Sequence, residues 1–404
     1  EHGPYRQTER RELYAKHARQ LVEQGDAYYC FCAAKDEDTD DHAKGKRQAH
    51  RDICPHRDVA LAEADQKVAS GTPHVIRFKM PYEGSTTVTD AIRGDITVEN
   101  STLDDTVLVK TDGLPVYHLA VVIDDHTMGI THALRTSEWL PTFPLHGRLC
   151  AAFGWEQPVW VHPSIFLKPD GKGKMSKRDT VALRESGKPI FLTDFAEMGY
   201  LPEAVVNWAA LIGWSFNDNE EEFTMPELIE KFSIEKLNAS PAALNFTKLD
   251  HFNGVHIRKL DVADLASRIK PFLAAEGLDV SDEAKLQKVA AVLQVRLANL
   301  TDAAAMGGFF FRDDIDPDPE TLIGKKQDAA SSLAMAKRVE SLIAASPDFS
   351  MDTLNQPLRD LAVELETKVG NLFGFLRNTL TAQKVSPPVF ETMEIIGRET
   401  VLKR

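Results

Sequence analysis

The sequence predicts a mixed α/β region that is followed by an all-α region. Up to about residue 180, apolar stretches of strand-like composition recur, such as "HVIRFKM" (74–80) and "TVTDAIRGDITVE" (87–99). From about residue 185 the apolar residues are spaced as in helices, and this holds for almost all of the chain after residue 254. A chain of 404 residues is also too long for one hydrophobic core, so we expect two to four domains.

Composition and charge narrow the class of protein. No apolar run approaches the roughly 18 residues that a transmembrane helix needs, and we expect no signal peptide. Its four cysteines are too few for a disulfide framework. We therefore expect a soluble protein of the cytoplasm or an organelle matrix, with no membrane partner. The net charge of -14 argues against nucleic-acid binding through bulk charge, although a local basic patch could still bind it.

The first region begins with a predicted helix over residues 6–24, which ends at a glycine. The stretch "AYYCFC" (27–32) predicts a short strand. An Asp-Gly turn between apolar residues in "KTDGLPVYHLA" (110–120) indicates a hairpin.

Two carboxylates and an arginine follow the next apolar stretch. We predict a buried strand over residues 119–123 with Asp124 and Asp125 at its carboxyl end, where α/β proteins bind ligands. Turn and cap chemistry would explain at least one of this pair equally well. Arg135 follows a second short strand and precedes a helix that Ser137 caps. A half-buried guanidinium in that position needs an anion, and a carboxylate offers it two parallel hydrogen bonds.

The second region is predicted to be helical. Pro202 opens one helix, and "SPAALNFTKLDHFNG" (240–254) predicts another that ends at Gly254. Further helices are predicted over residues 261–276, 281–307, 318–345 and 355–382.

The stretch "GKGKMSKRDT" (171–180) concentrates positive charge in an acidic chain. A solvated surface loop is the ordinary explanation of such a stretch. Here, however, two glycines allow the backbone to approach a ligand, and Lys174 and Lys177 can converge on one polyphosphate. The spacing is not that of a P-loop. We therefore interpret the stretch as a loop that binds a polyphosphate.

The cysteines suggest a metal site. In an extended strand Cys30 and Cys32 would present both sulfur atoms on one face, and Cys54 with His56 could do the same. Three thiolates and an imidazole suit tetrahedral Zn²⁺, and the polar segment between the two pairs could not fold by burial alone. Core cysteines or a redox pair are the alternatives. The substitute ligands would be His42 and His50, and Cys150 lies in an apolar helix where it is packed.

The motifs together resemble the glutamyl-tRNA synthetases of class I. The match rests on "KMSKR" (174–178), "GPYRQTER" (3–10), "YHLAVVIDDHTMGITHALRTSEW" (117–139), "GYLPEAVVNWAALIGW" (199–214) and "SPAALNFTKLDHFNG", in the order and spacing of that family. It covers essentially the whole chain and weakens beyond about residue 260. Part of the family also has the C-x-C…C-x-H pattern as a zinc site.

The resemblance implies a role for each matching residue. The catalytic residues would be Lys174, Ser176 and Lys177. Arg135 would bind the side-chain carboxylate of glutamate in a pocket that Tyr117 lines. The residues that contact ATP would be Glu138, Trp139, Lys174, Lys177 and Arg178, although helix packing explains Trp139 nearly as well.

The resemblance also implies the fold class. We expect α/β, a class I Rossmann-like catalytic domain with its first half absent and an acceptor-stem insertion, followed by all-α stem-contact and anticodon-binding domains. The expected divisions are 1–28 for the end of the first catalytic half, 29–115 for the insertion with the zinc site, 116–180 for the second half, 181–253 for the stem-contact region and 254–404 for the anticodon-binding domain. The HIGH signature would lie upstream of residue 1, so we expect this fragment alone to be inactive.

The implied activity is ATP-dependent ligation of L-glutamate to tRNA-Glu through glutamyl-adenylate, with Mg²⁺ and a structural Zn²⁺, by a cytoplasmic monomer. A glutamyl-queuosine-type enzyme is disfavoured because it would end soon after the basic loop, more than 220 residues before this chain does. A glutaminyl enzyme would not need Arg135. A non-catalytic paralogue is disfavoured because the basic loop is intact.

For the contact with tRNA we select Arg377 in "VGNLFGFLRNTLTAQKVSPP" (369–388). Phe373 and Phe375 have core-like helical spacing and are expected to be packed.

Overall fold

The computed structural model describes residues 2–32, 49–323 and 327–404. The chain divides into two compact units, and each is described by itself. Unit 1 comprises residues 1–174, 213–218 and 231–243, and unit 2 comprises residues 175–212, 219–230 and 244–404. The mixed α/β elements fall in unit 1 and unit 2 is helical, as the sequence predicts.

Unit 1 contains three small sheets. Its strands are β1 (Ala27–Cys30), β2 (Val75–Phe78), β3 (Ser85–Asp90), β4 (Gly94–Glu99), β5 (Val107–Val109), β6 (His132–Leu134), β7 (Val159–Val161), β8 (Phe166–Leu167) and β9 (Ala242–Ala243). Its helices are α1 (Arg11–Gln24), α2 (His50–Ile53), α3 (Leu61–Ala69), α4 (Tyr117–Thr127) and α5 (Phe143–Phe153), with 3₁₀ turns at Gln7–Arg10, Asn100–Thr102, Ser137–Thr142 and Ile234–Lys236.

The sheet that matters for the site has the order β4-β3-β7-β6. Strands β3 and β4 form an antiparallel hairpin in which Ser85 faces Glu99 and Asp90 faces Gly94. Strand β7 runs parallel to both β3 and β6. The carboxyl ends of β3, β6 and β7 therefore meet at one edge of the sheet, and Asp90 lies at that edge.

One predicted strand in unit 1 is wrong. Residues 119–123 belong to helix α4 and not to a strand. A run of five apolar residues has the same appearance in a buried strand and a buried helix. Leu119 and Ile123 lie four residues apart and are both fully buried, as expected for one face of a helix. Asp124 and Asp125 consequently lie in the last part of α4.

Other local predictions in unit 1 are partly confirmed. The predicted helix over 6–24 forms as a 3₁₀ turn and α1, and Gly25 ends it in the left-handed conformation at φ +86°. The strand at 27–32 is shorter than predicted, since β1 ends at Cys30. The Asp-Gly turn forms, with one bridge between Val109 and Pro115, but the chain then enters α4. The predicted cap at Ser137 is wrong, because Ser137 is the first residue of a 3₁₀ turn whose N-cap position is Thr136, without a side-chain capping hydrogen bond.

Unit 2 is built from helices around one apolar core. They are α6 (Lys177–Glu185), α7 (Leu192–Glu197), α8 (Pro202–Ala210), α9 (Met225–Lys231), α10 (Phe246–Lys259), α11 (Val262–Ala275), α12 (Glu283–Leu293), α13 (Asp302–Gly307), α14 (Ala329–Ala345), α15 (Met351–Glu364), α16 (Val369–Thr381) and α17 (Val389–Lys403), with 3₁₀ turns at Gly308–Phe311 and Pro319–Leu322. Among the described residues, no helix combines the length and the apolar character that crossing a membrane requires.

The predicted start at Pro202 is confirmed, whereas the predicted stop at Gly254 is wrong. Helix α10 continues through Gly254 to Lys259, and this glycine does not adopt the positive φ that ends a helix. A Cβ at that position would lie 3.5 Å from the carbonyl oxygen of Leu297 and 3.1 Å from a guanidinium nitrogen of Arg258.

Candidate active site

Arg135 lies just beyond β6, at the carboxyl edge of the sheet in unit 1. Its Nε donates a hydrogen bond to Nε2 of His162 at 3.0 Å, and its Nη2 donates to Nδ1 of His146 at 2.7 Å. The guanidinium stands over the ring of Trp160, 4.7 Å from its centroid. Its third nitrogen, Nη1, is buried and has no hydrogen-bond partner within the described part of the chain. Arg135 therefore has one donor group left for a ligand.

The two histidines that hold Arg135 belong to a longer chain of hydrogen bonds. Nδ1 of His162 lies 2.6 Å from a carboxylate oxygen of Asp90, and Nε2 of His146 lies 2.9 Å from Nδ1 of His118. His146 and His162 have no exposed surface, and Asp90 is 1% exposed. The other oxygen of Asp90 accepts hydrogen bonds from the backbone N–H groups of Ile92 and Arg93. His162, which follows β7, is thus connected to the end of β3.

The electrostatics at Arg135 are those of a charge without a close counter-ion. No carboxylate in residues 2–32, 49–323 or 327–404 forms an ion pair with it. Burial lowers the pKa of Arg135, and Tyr117, Asp125 and Asp90 only partly oppose that effect. Burial likewise raises the pKa of Asp125 to about 6, and the charge of Arg135 only partly opposes this rise.

Tyr117 and Trp139 form the aromatic side of the same site. Their rings stack at a centroid distance of 4.3 Å and an interplanar angle of 30°. Tyr117 opens α4 and is 41% exposed, so the stacked pair is accessible to a ligand. Glu138, beside Trp139, forms an ion pair with Lys174. Unit 1 therefore brings together Tyr117, Arg135, Glu138, Trp139 and Lys174 from the sequence-predicted set.

The remaining residues of the basic loop begin α6 in unit 2. Ser176 caps this helix by a capping box with Asp179, whose carboxylate accepts from the Ser176 N–H at 2.9 Å. Lys177 and Arg178 are the first two residues of the helix, and both are exposed. In the described part of the chain neither forms an ion pair. Two free cations thus stand at the positive end of a helix dipole, where an anion would be stabilised.

The cysteines form a compact cluster around the end of β1. Cys30, Cys32, Cys54 and His50 place one ligand atom each within 4.8 Å of one another. The Sγ–Sγ distances are 3.6 Å for Cys30–Cys54 and 3.8 Å for Cys32–Cys54. Two thiolates on one tetrahedral Zn²⁺ would lie about 3.8 Å apart. The donor set therefore fits zinc.

The structure and the sequence prediction differ on the histidine of this cluster. Nε2 of His50 lies 3.4 Å from Sγ of Cys30. Nδ1 of His56 lies 3.5 Å from Sγ of Cys32, but it also accepts the backbone N–H of Phe31 at 3.4 Å. His42 lies outside the described residues. His50 was a substitute in the sequence prediction, and here it is the histidine grouped with all three cysteines.

Arg377 lies on α16 and is half-buried, with an Nε that has no partner in the described residues. Phe375 is 9% exposed and Phe373 packs edge-on against Phe390, so the expectation that they are core residues is confirmed. The hydroxyls of Thr379 and Thr381 donate to backbone carbonyls of α16.

Comparisons with known proteins agree with these features. Residues 1–251 match the family model described as "tRNA synthetases class I (E and Q), catalytic domain", and residues 264–404 match "Anticodon binding domain". A glutamate–tRNA ligase of Dehalococcoides mccartyi is 40% identical over 410 residues, which cover 100% of this chain and 81% of that protein. The chain belongs to the class I glutamyl-tRNA synthetase family.

Other relatives give the same result. A glutamate–tRNA ligase of Herpetosiphon aurantiacus is 37% identical over 412 residues, with 100% of this chain and 81% of that protein covered. The crystal structure of a glutamate tRNA ligase from Elizabethkingia meningosepticum, in complex with its amino acid, has a TM-score of 0.89 and 34% identity, and covers 99% of this chain and 82% of that one. The family and the fold class predicted from the sequence are therefore confirmed.

Sequence reasoning did not identify His146 and His162, which hold Arg135, or their own partners His118 and Asp90. His146 lies in the middle of α5, within the stretch "LHGR" (145–148). A signal was available, because three histidines stand inside strongly apolar stretches, "YHLA", "PLHGR" and "WVHPS". A buried histidine needs a hydrogen-bond partner, and an arginine lies nearby in sequence.

Proposed function

We propose that the full-length enzyme to which this chain belongs ligates L-glutamate to tRNA-Glu in two steps. An oxygen of the glutamate α-carboxylate attacks the α-phosphorus of ATP, the bond to pyrophosphate breaks, and glutamyl-adenylate forms. A ribose hydroxyl at the end of the tRNA then attacks the activated carbonyl carbon, and AMP leaves. Class I synthetases use ATP and Mg²⁺, and the family match supports both here. Catalysis by the protein in such reactions is mainly positioning and stabilisation of charge.

The observation that carries this proposal is the unpaired Nη1 of Arg135. The guanidinium is fixed by two histidines, and no carboxylate among the described residues forms an ion pair with it. The side-chain carboxylate of glutamate would supply that counter-ion, and Tyr117 would line the pocket beside it. Glu138 and Trp139, with the exposed face of the aromatic pair, would contact the adenosine of ATP.

The test is Arg135→Gln in the full-length enzyme, with Arg148→Gln as the matched control. Arg148 lies on α5 and donates to Thr86 instead of to the histidines. Arg135→Gln should lower kcat/KM for glutamate by about 100-fold or more, because a charge-assisted pair is lost. It should also narrow the preference for glutamate over glutamine. An unchanged kcat/KM for glutamate in Arg135→Gln would contradict the assignment of Arg135 to the glutamate pocket.

The basic loop would act on the phosphates. We assign Lys174, Ser176 and Lys177 to catalysis and Lys174, Lys177 and Arg178 to ATP, with Ser176 acting by capping α6. Lys177→Ala should lower kcat for adenylate formation by roughly 100-fold, the effect of losing one group that stabilises charge in the transition state. Lys172→Ala, also in the loop, is the control. A raised KM for ATP at unchanged kcat would contradict this role.

Zinc would be bound by Cys30, Cys32, Cys54 and one histidine, and would hold the end of β1 to α2. It supplies no chemistry to the reaction in this proposal. We favour His50 over His56 as the fourth ligand because its Nε2 joins all three sulfur atoms within 4.8 Å.

Elemental analysis of protein purified without chelator should give one zinc per chain. His50→Ala should lower the zinc content, whereas His56→Ala should leave it near one. The reverse outcome would restore His56 as the ligand, and an absence of zinc from the unmodified protein would contradict the metal site itself.

The helical half would bind the anticodon, and Arg377 is our candidate contact. The two family matches are separated by residues 252–263, which supports the predicted division near residue 254. We keep the other predicted divisions, a monomeric state and a cytoplasmic location as parts of the same proposal.

Arg377→Ala should weaken tRNA-Glu binding without changing ATP binding. An unchanged affinity for tRNA-Glu would show that Arg377 does not contact the tRNA.

A further inference from the structure

Arg135 is held by neutral groups, and the hydrogen-bond chemistry requires this. A guanidinium has only donors, so Nδ1 of His146 and Nε2 of His162 must both accept. A histidine ring that accepts at one nitrogen is neutral and carries its proton on the other. His162 therefore donates through Nδ1 to Asp90, and His146 donates through Nε2 to His118. The geometry fixes one tautomer for each ring.

Burial supports the same protonation states. The pKa of His146 is lowered to about 2, chiefly by burial and then by the charge of Arg135. The pKa values of His118 and His162 are also lowered, again with burial as the largest cause. Protonation of either ring that faces Arg135 would replace a hydrogen bond by repulsion between two cations.

We infer that His146 and His162 are positioning residues that determine specificity for glutamate, because they fix Arg135 in place and leave its positive charge for the substrate. This inference rests on the proposed function and extends it. Carboxylates at these two positions would hold the guanidinium equally well, but they would pair with its charge before the substrate arrived. The carboxyl of Asp90 is separated from Arg135 by the ring of His162.

The consequence is a pocket that distinguishes a carboxylate from an amide by charge. Nη1 of Arg135 can donate to glutamate or to glutamine, so this hydrogen bond discriminates weakly between them. The unneutralised charge of the guanidinium favours the carboxylate alone. Specificity for glutamate therefore depends on the neutral state of residues that do not touch it.

The test compares His146→Asn with His146→Asp in the full-length enzyme. The two replacements have the same shape and both can accept from Arg135, but only aspartate brings a negative charge. His146→Asn supplies a neutral acceptor to Arg135 and gives the reference value of KM for glutamate. His146→Asp should raise it roughly 10- to 100-fold, on the scale of one charge-assisted bond, with a smaller change in kcat. The preference for glutamate over glutamine should fall by a similar factor.

A second measurement does not depend on a variant that folds. The ¹⁵N shifts of the histidine rings in the unmodified full-length protein should show His146 protonated at Nε2 and His162 at Nδ1, both neutral. A doubly protonated ring at either position overturns the inference. So does an unchanged KM in a folded His146→Asp variant when the unmodified enzyme uses glutamate normally. An unmodified enzyme that does not use glutamate overturns the proposed function first, and the inference with it.

Discussion

Two arginines in unit 1 are surrounded very differently, and the contrast shows which one serves the fold. Arg57 is 6% exposed, and its Nε forms an ion pair at 2.7 Å with Asp105, whose side chain is fully buried. Arg135 has two neutral histidines where Arg57 has a carboxylate. Burial works to lower the pKa of both. At Arg57 the hydrogen bond and the charge of Asp105 outweigh it and raise the pKa, whereas at Arg135 the pKa stays lowered.

The comparison teaches that the charge state of the partners separates structural from functional arginines. Asp105 is itself fixed, because it also accepts the backbone N–H of Met80 at 2.8 Å. The Arg57–Asp105 pair is complete and needs no ligand. The Arg135 cluster is geometrically ordered but electrostatically incomplete, which is what a binding site for an anion requires.

The largest expected effect is on folding stability at Arg57. Arg57→Gln should lower the free energy of unfolding by about 3–5 kcal/mol, because it leaves Asp105 charged and buried without a partner. Arg135→Gln should change it by less than about 1 kcal/mol, since the relief of an unneutralised charge offsets lost hydrogen bonds of about 1 kcal/mol each. Urea unfolding of both variants measures the difference. An equal loss of unfolding free energy in Arg57→Gln and Arg135→Gln would contradict the proposed difference between the two arginines.

A smaller effect on the free energy of unfolding is expected when Asp105 is changed together with Arg57. Asp105→Asn in the Arg57→Gln background should restore about 2 kcal/mol of the lost stability, because no uncompensated buried charge remains. The same urea experiment, run as a double-mutant cycle, reports this coupling. If the double variant is no more stable than Arg57→Gln, packing and not charge accounts for the loss.

The smallest change in the free energy of unfolding is expected for a substitution of Asp125. Its pKa is raised to about 6, so folding favours the protonated form of this carboxyl. Its contribution to the free energy of unfolding is therefore complete below about pH 4 and is lost as the pH rises through 6. Asp125→Asn should therefore gain about 1 kcal/mol relative to the unmodified protein between pH 4.5 and 7.5, a figure reduced for the partial exposure of the group. If Asp125 were the counter-ion of Arg135, the trend with pH would have the opposite sign.

The sequence predicts the overall organisation well where a pattern has one physical meaning. The α/β-then-α order, the left-handed Gly25 and the start at Pro202 are of this kind. It fails where one pattern fits two structures. The apolar run 119–123 suits a strand or a helix, and Gly254 suits a helix end or a close contact.

The candidate site shows the same division. The need of Arg135 for an anion follows from the residue type, and the structure leaves its Nη1 unpaired. The neutral partners of Arg135 could not be predicted in the same way, because His146 lies on α5 and His162 follows β7, and only the tertiary fold brings them to Arg135. The choice between His50 and His56 depends likewise on where α2 lies against β1.

The line from Asp90 through His162 and Arg135 to His146 also has a consequence for how the protein folds. Its members are separated by 72, 27 and 11 residues along the chain. Contacts of such sequence separation require long loops to close, and they form slowly compared with those inside a helix or a hairpin. The Asp90–His162 contact in particular requires the β3–β4 hairpin to pack beside β7. Competence to choose an amino acid is thus acquired late in folding, after most of the local secondary structure is present.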